Sequence, residues 1–306
     1  MTVLDHVRRL GALTLVFVAA ACGTGSSSAG GPVPGFVARD SSAPAVVPSG
    51  VPRLAPVTPS ASLSPSPSRS PSPKVTHATT PSARGTSSFW GDPVAVENFD
   101  GPLSGEWGTY DSPNSSPPRS AAMVSVSGGQ LHLAGGVNSG KDVGSGAMFL
   151  RDQKYGRWEV RFRVQAGAGY APDVLLWPKN NNDWPAAGEI DLAEMNDPAR
   201  AGFGSFLHHG KDNNIVGHST KADFTRFHTI AVDWLPTRVT YYLDGRKIFN
   251  VTPGDIRTGL PTESVMHLAL QLDQGCSDFI PCRDAHTPAR VVMDVDWVKV
   301  YRAPQS

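Results

Sequence analysis

Trp184-Pro185-Ala186-Ala187-Gly188-Glu189-Ile190-Asp191-Leu192-Ala193-Glu194 places three carboxylates within six residues on a stretch that reads as a β-strand. Side chains on a regular strand alternate faces, so Glu189 and Asp191 share a face and Glu194 should point the other way. A β-bulge at Leu192-Ala193 corrects this. It returns Glu194 to the side of the first two acids and leaves Ile190 and one of the bulge pair for the core. Four effective steps at about 3.3 Å put the Cα atoms of Glu189 and Glu194 roughly 13 Å apart, and side chains leaning together bring the carboxyls within about 5 to 6 Å. Gly188 allows a close backbone approach just before the acids.

That spacing suits hydrolysis of a glycosidic bond with retention. One ionised carboxylate attacks the anomeric carbon while a protonated carboxyl gives its proton to the leaving oxygen. Asp191, between the two, can hydrogen-bond and orient the nucleophile, and its charge helps keep the acid protonated near neutral pH. A sugar cleft also wants aromatic platforms beside polar groups. Trp184 is the first candidate platform. Trp177 and the polar run Lys179-Asn180-Asn181-Asn182-Asp183 lie just upstream, where a loop could rim the cleft.

Outward from the acids, strands are legible from alternation and turns. Arg157 to Val164 alternates polar and apolar over eight residues, a half-buried antiparallel strand. Tyr241 to Phe249 is a hairpin around Asp244-Gly245, a pair that tolerates positive φ. Gly128-Gly129 leads into Gln130-Leu131-His132-Leu133, Val94 to Phe99 opens the domain and Val291 to Tyr301 closes it. No stretch shows helical periodicity. Many short strands with Gly- and Pro-rich turns predict an all-β, antiparallel β-sandwich.

The 306 residues carry 40% hydrophobic and 18% charged content, enough for one good-sized domain plus disordered sequence. Lys+Arg and Asp+Glu are both 27, a balance that points away from nucleic acid and is compatible with a neutral polysaccharide partner. Residues 1–22 combine Arg8-Arg9, an apolar run from Leu10 to Ala21, and Ala19-Ala20-Ala21-Cys22, which resembles a bacterial lipobox. They read as a lipoprotein-type signal peptide with Cys22 as the lipidation site, which predicts an exported protein tethered to the outer face of a bacterial cell membrane. Ordinary cleavage at the Ala-x-Ala sequence is the alternative. Residues 23–88 are rich in Ser, Pro, Ala and Thr and predict a disordered linker, whose polyproline reach is on the order of 200 Å. The catalytic domain then spans 89–306, expected to act as a monomer. With Cys22 lipidated, Cys276 and Cys282 remain, and a disulfide closing their short loop is the simplest pairing outside the cytoplasm.

The acid stretch closely resembles the active-site signature of glycoside hydrolase family 16, in the bulged form E-x-D-x-x-E found in laminarinases. Tyr155 to Arg161, Phe227 to Trp234 and Asp294 to Tyr301 also look like family blocks. The resemblance implies a concanavalin A-like jelly roll with a concave substrate cleft. It implies Glu189 as nucleophile, Asp191 as its assisting acid and Glu194 as general acid/base, with Trp184 at the position of a subsite tryptophan. His208 falls where the family has a histidine facing the acids, and Gln271 where it often places an Asn. The implied activity is a retaining endo-glycosidase on a β-linked polysaccharide, β-1,3-glucan favoured. A non-catalytic sugar-binding sandwich, a wall-remodelling transglycosylase and a galactan hydrolase are the alternatives.

Two departures stand out. The family's W-P-A-F-W-L-L-P block is Ala171-Pro172-Asp173-Val174-Leu175-Leu176-Trp177-Pro178 here, with two fewer aromatics. The family's structural calcium often uses an Asp near the last strand, matched by Asp296, and a Glu near the first, where Asn98 stands. No cofactor is required for the chemistry. His208, His209 and His218 satisfy no metal-ligand spacing, since adjacent histidines on a strand face opposite ways. No serine nucleophile elbow or Walker loop occurs.

Overall fold

A computed structural model describes residues 87–277 and 279–304. The leader, Cys22 and the linker as far as residue 86 lie outside the described residues.

Among the described residues, sixteen strands build two antiparallel sheets. In chain order they are β1 (Ala95–Glu97), β2 (Trp107–Thr109), β3 (Val124–Ser127), β4 (Gln130–Asn138), β5 (Lys141–Val143), β6 (Ser145–Phe149), β7 (Gly156–Val164) and β8 (Tyr170–Pro178), then β9 (Glu189–Glu194), β10 (Gly202–His209), β11 (Asn214–Lys221), β12 (His228–Leu235), β13 (Arg238–Leu243), β14 (Arg246–Val251), β15 (Met266–Gln274) and β16 (Arg290–Arg302). One sheet runs β14-β13-β12-β7-β16-β4-β3, with β1 on β16 and β5 on β4. The other runs β11-β10-β9-β8-β15-β6-β2. A single helical turn, Ser87–Trp90, precedes them and buries Trp90. The predicted antiparallel sandwich is the observed fold.

The core follows from period-two alternation. Trp158, Val160, Phe162 and Val164 on β7 are all fully buried, as are Leu268, Leu270 and Leu272 on β15. These residues belong to one apolar cluster with Val174 and Leu176 of β8 and Ile190 and Leu192 of β9. Burial of a large apolar side chain stabilises by about 1.5 to 3 kcal/mol, so two tryptophans at the centre, Trp158 and Trp234 at 6.2 Å, hold the sheets together strongly. The Tyr241 hydroxyl crosses the core to donate to the Phe206 carbonyl at 2.7 Å.

On β7 the outer face is not simply solvated. Arg157 is 2% and Glu159 8% exposed. The Arg157 guanidinium donates to Glu159 at 2.8 Å and to Asp233 of β12 at 2.6 Å, and it lies 4.7 Å from the Tyr242 ring. Neighbouring strands supply both the charge and the cover that a buried guanidinium requires. The Asp244-Gly245 turn joins β13 to β14 with φ of 49° and 78°, as its residue types predict. Cys276 and Cys282 form a disulfide, Cα atoms 4.2 Å apart, in the loop after β15. Arg200, fully buried, donates to the carbonyls of Gln165, Gly167 and Tyr170 and so fixes the turn that enters β8.

Candidate active site

The bulge is present where the sequence puts it. On one side β9 pairs Ala193 with Val174 and Asp191 with Leu175, leaving Leu192 as the extra residue. On the other, Glu194 pairs with Gly204, Asp191 with Phe206 and Glu189 with His208. Gly204, Phe206 and His208 occupy one face of β10, so the three acids share that face too. Ser205 Oγ donates to the Leu192 carbonyl at 2.8 Å, which satisfies an acceptor at the interrupted ladder. Both Leu192 and Ala193 join the core, one residue more than the bulge argument assigned.

Gly188 enters the strand at φ 86°, and a Cβ there would meet the Pro261 ring at 2.7 Å and the His208 carbonyl at 2.8 Å. Only glycine fits both the conformation and the space. The loop before it closes through Asn180, whose side chain accepts from the Asn182 amide at 3.2 Å, and presents Trp184 to the acids.

Trp184 Nε1–H donates to Glu189 Oε2 at 2.8 Å. Its ring stacks on Trp177 at 5.8 Å and 16°, and Trp177 Nε1–H in turn donates to Asn181 at 2.8 Å. Both indoles are half-buried, so the pair forms an open aromatic surface beside Glu189. His208 Nε2 lies 3.2 Å from Asp191 Oδ2 while Nδ1 meets Asn213 Oδ1 at 3.0 Å. His209 faces away, to the Gly259 carbonyl and Glu263, and His218 stacks on Phe249. The histidines therefore do not gather. Glu189, Asp191 and His208 offer ligand atoms within 4.8 Å of one another, yet the indole N–H occupies Glu189 with a donor, the arrangement that supports an anionic carboxylate without a metal.

Burial dominates the electrostatics. It pushes Glu189 up to about 8, helped by the charge of Asp191 and opposed by His208 and the Trp184 N–H. It pushes Asp191 up to about 8 as well, while hydrogen bonding to Glu189 pulls the other way. Glu194 is half-buried and raised well above the usual carboxylate range, by burial first and by Asp191 next. The cleft thus retains protons near neutral pH, and Glu189, which His208 and the Trp184 N–H favour as an anion, ionises as the pH approaches 8. Such an array can pair a nucleophile with a proton donor.

Several residues of this face were not singled out from sequence. Asp173 of β8 is directly opposite Glu194 and 8% exposed. Next to it on β15 stand Gln271 and Asp273; Arg119 clamps Asp273 with two 2.6 Å bonds and donates to Gln271 at 2.9 Å. Gln271 does reach the cleft face, with its amide oxygen held by that guanidinium. Tyr110 covers Gly146 and lies 5.2 Å from Arg119. Phe206 lies over Gly204 and Gly217, positions where any Cβ would strike its ring, and so lines the face beside Asp191. Asp173, the lone charge in the apolar run Tyr170–Pro178, carried a signal; Arg119, in a loop, carried none.

Asp296 is 30% exposed at its side chain and accepts the guanidinium of Arg161. Among the described residues no further acid, histidine or cysteine completes a three-ligand set around it. A carboxylate already neutralised by arginine does not fit the calcium site that the resemblance implied.

Residues 120–299, more than half of the chain, match the profile of glycosyl hydrolases family 16. A β-glucanase of Acetivibrio thermocellus is 26% identical over 157 residues, covering 48% of this chain and 42% of that protein. Glucan endo-1,3-beta-glucosidase A1 of Niallia circulans is 25% identical over 180 residues, covering 52% of this chain and 26% of that protein. The chain thus spans less than half the length of these curated relatives. The laminarinase catalytic domain of Thermotoga maritima superposes with a TM-score of 0.63 at 19% identity, over 70% of this chain and 99% of that one. With an antiparallel sandwich, three aligned acids on the bulged strand of one sheet, and that match along its length, the chain belongs to glycosyl hydrolases family 16.

Proposed function

We propose that this protein is an exported, retaining endo-glycosidase that hydrolyses a β-linked glucan, with β-1,3-glucan the favoured substrate. The alignment of Glu189, Asp191 and Glu194 on one face by the bulge carries the reading. Glu189 in its ionised form, supported by the Trp184 N–H, attacks the anomeric carbon; Asp191, between Glu189 and His208, holds it in place; Glu194 protonates the leaving oxygen. Glu194 then takes a proton from water as that water attacks the covalent glycosyl–Glu189 ester, and retention follows from two inversions. The stacked Trp177 and Trp184 suit the apolar face of a pyranose. Family membership and the names of the relatives support a β-glucan. The leader and linker in the sequence support export with a lipid anchor at Cys22, and a monomer suffices for the chemistry.

Reducing-end release from β-1,3-glucan, mixed-linkage glucan, agarose and carrageenan, with Glu189→Gln as the blank, tests this. Activity on a β-glucan that disappears in the variant is expected. Cleavage of a galactan instead would move the substrate, and binding without cleavage of any polymer would refute the enzymatic reading.

A further inference from the structure

Asp173 is an acid on a strand face that is otherwise apolar along its buried length: Ala171 and Leu175, the neighbours two residues away on the same face, are 0% and 5% exposed. Asp173 Oδ1 is buried without a hydrogen-bond partner, and so is Glu194 Oε2. The two residues are cross-strand partners in the β8–β9 ladder, a relation that sets Cβ atoms about 4.5 to 5.5 Å apart. The guanidinium closest to hand, Arg119, is committed to Asp273 and Gln271. An unpaired buried carboxylate opposite another one is costly, and the physical remedy is for the two to keep one proton between them.

We propose that Asp173 is a positioning residue for the acid/base, forming with Glu194 a buried carboxyl pair that holds one proton and keeps the glycosidic proton donor loaded. The inference rests on the reading of Glu194 as acid/base. In the first step the proton of the pair passes from Glu194 to the leaving oxygen as the C–O bond breaks and the bond to Glu189 forms. Both carboxyls are then anionic, and their repulsion makes Glu194 a stronger base. In the second step Glu194 removes a proton from water, the water oxygen bonds the anomeric carbon, the ester to Glu189 breaks, and the pair has its proton again. The balance closes with no other reactant.

The charged groups that act on the pair are Asp191 and Glu189 on β9, Asp273 on β15, Arg119 from the loop before β3, Arg200 from the loop before β10, and His208 on β10. Burial and the charge of Glu194 raise Asp173 well above the usual carboxylate range, and Arg119 pulls weakly against them. Because the ladder sets the two carboxyls opposite each other, removing the Asp173 carboxyl takes a like charge from beside Glu194 and lets it lose its proton at lower pH.

The test is the pH dependence of kcat/KM for wild type, Asp173→Asn, Asp173→Ala and Asp173→Glu on the polymer that wild type cleaves. The alkaline limb is expected to move down by about one pH unit or more in the Asn and Ala variants, a roughly tenfold loss on that limb per unit, with kcat falling more than KM changes and partial rescue in the Glu variant. A uniform loss with an unmoved limb would overturn the proposal and leave Asp173 a structural residue. Carboxyl-carbon NMR titration of Glu194 in Glu189→Gln, with and without Asp173→Asn, reads the pair without turnover. An unchanged Glu194 midpoint there also overturns it, whereas a shifted midpoint in a protein that cleaves no polymer would retain the pair and refute the enzymatic reading alone.

Discussion

Replacing Glu189 with Gln should stabilise the folded domain at neutral pH relative to acid pH. Glu189 is 3% exposed, and burial raises it from 4.5 to about 8. A carboxyl raised on folding contributes its stability while protonated, below its unfolded value, and loses it as pH climbs towards the folded value. Between pH 4.5 and 7 the unfolded chain has released this proton and the folded one has not. The linkage over those 2.5 units amounts to about 3 kcal/mol at 1.36 kcal/mol per unit. Gln cannot titrate, and its amide oxygen still accepts the Trp184 N–H. In urea titrations from pH 4 to 7.5, the wild-type free energy of unfolding should fall with pH more steeply than that of Glu189→Gln, the curves parting by about 3 kcal/mol, or on the order of 10 °C in Tm. Parallel curves would show that Glu189 is not held protonated by burial and would refute the electrostatic account of the cleft.

Trp184→Phe keeps the platform on Trp177 but removes the N–H that supports the Glu189 carboxylate. A hydrogen bond to a charged acceptor contributes about 1.5 to 3 kcal/mol, so the acid limb of kcat/KM should rise by about one to two pH units; a loss uniform in pH would show a role in sugar contact alone. Gly188→Ala should lower stability by about 2 kcal/mol or more, since a Cβ meets Pro261 and the His208 carbonyl in a left-handed conformation; an unchanged denaturation midpoint would contradict the close approach. Chelation by EDTA should leave both Tm and activity unchanged, because Arg161 neutralises Asp296 and the Trp184 N–H already donates to Glu189; a fall in calorimetric Tm would return calcium to the structure.

The legible part of this protein lay in short-range pattern. The order of Glu189, Asp191 and Glu194 forced a bulge, and β9 carries it. Gly188 and Asp244-Gly245 announced backbone conformations that only a few residue types adopt. What stayed hidden comes from contacts between distant segments. Arg119 and Asp273 are 154 residues apart, and nothing local distinguishes their clamp from two solvated charges. Arg157 and Glu159 looked solvent-facing because their cover, Asp233 and Tyr242, arrives from β12 and β13. Phe206 reads as a core residue by type, and only the register that sets Gly204 and Gly217 around it turns it to the cleft. Asp296 matched a calcium position by place in the chain, but its partner was decided by Arg161 on the adjacent strand.

The extra residue in β9 makes the separation of the acids a matter of counting rather than of side-chain choice. Between the rungs Asp191–Leu175 and Ala193–Val174, β9 spends two steps where β8 spends one. No substitution can alter that count, and only an insertion or deletion can. Carboxyl separation decides between attack by an acid and attack by an intervening water, and the backbone part of that separation is insulated from point mutation in this cleft. Substrate preference is free to drift through residues such as Leu175 and Phe206 while that spacing stays fixed.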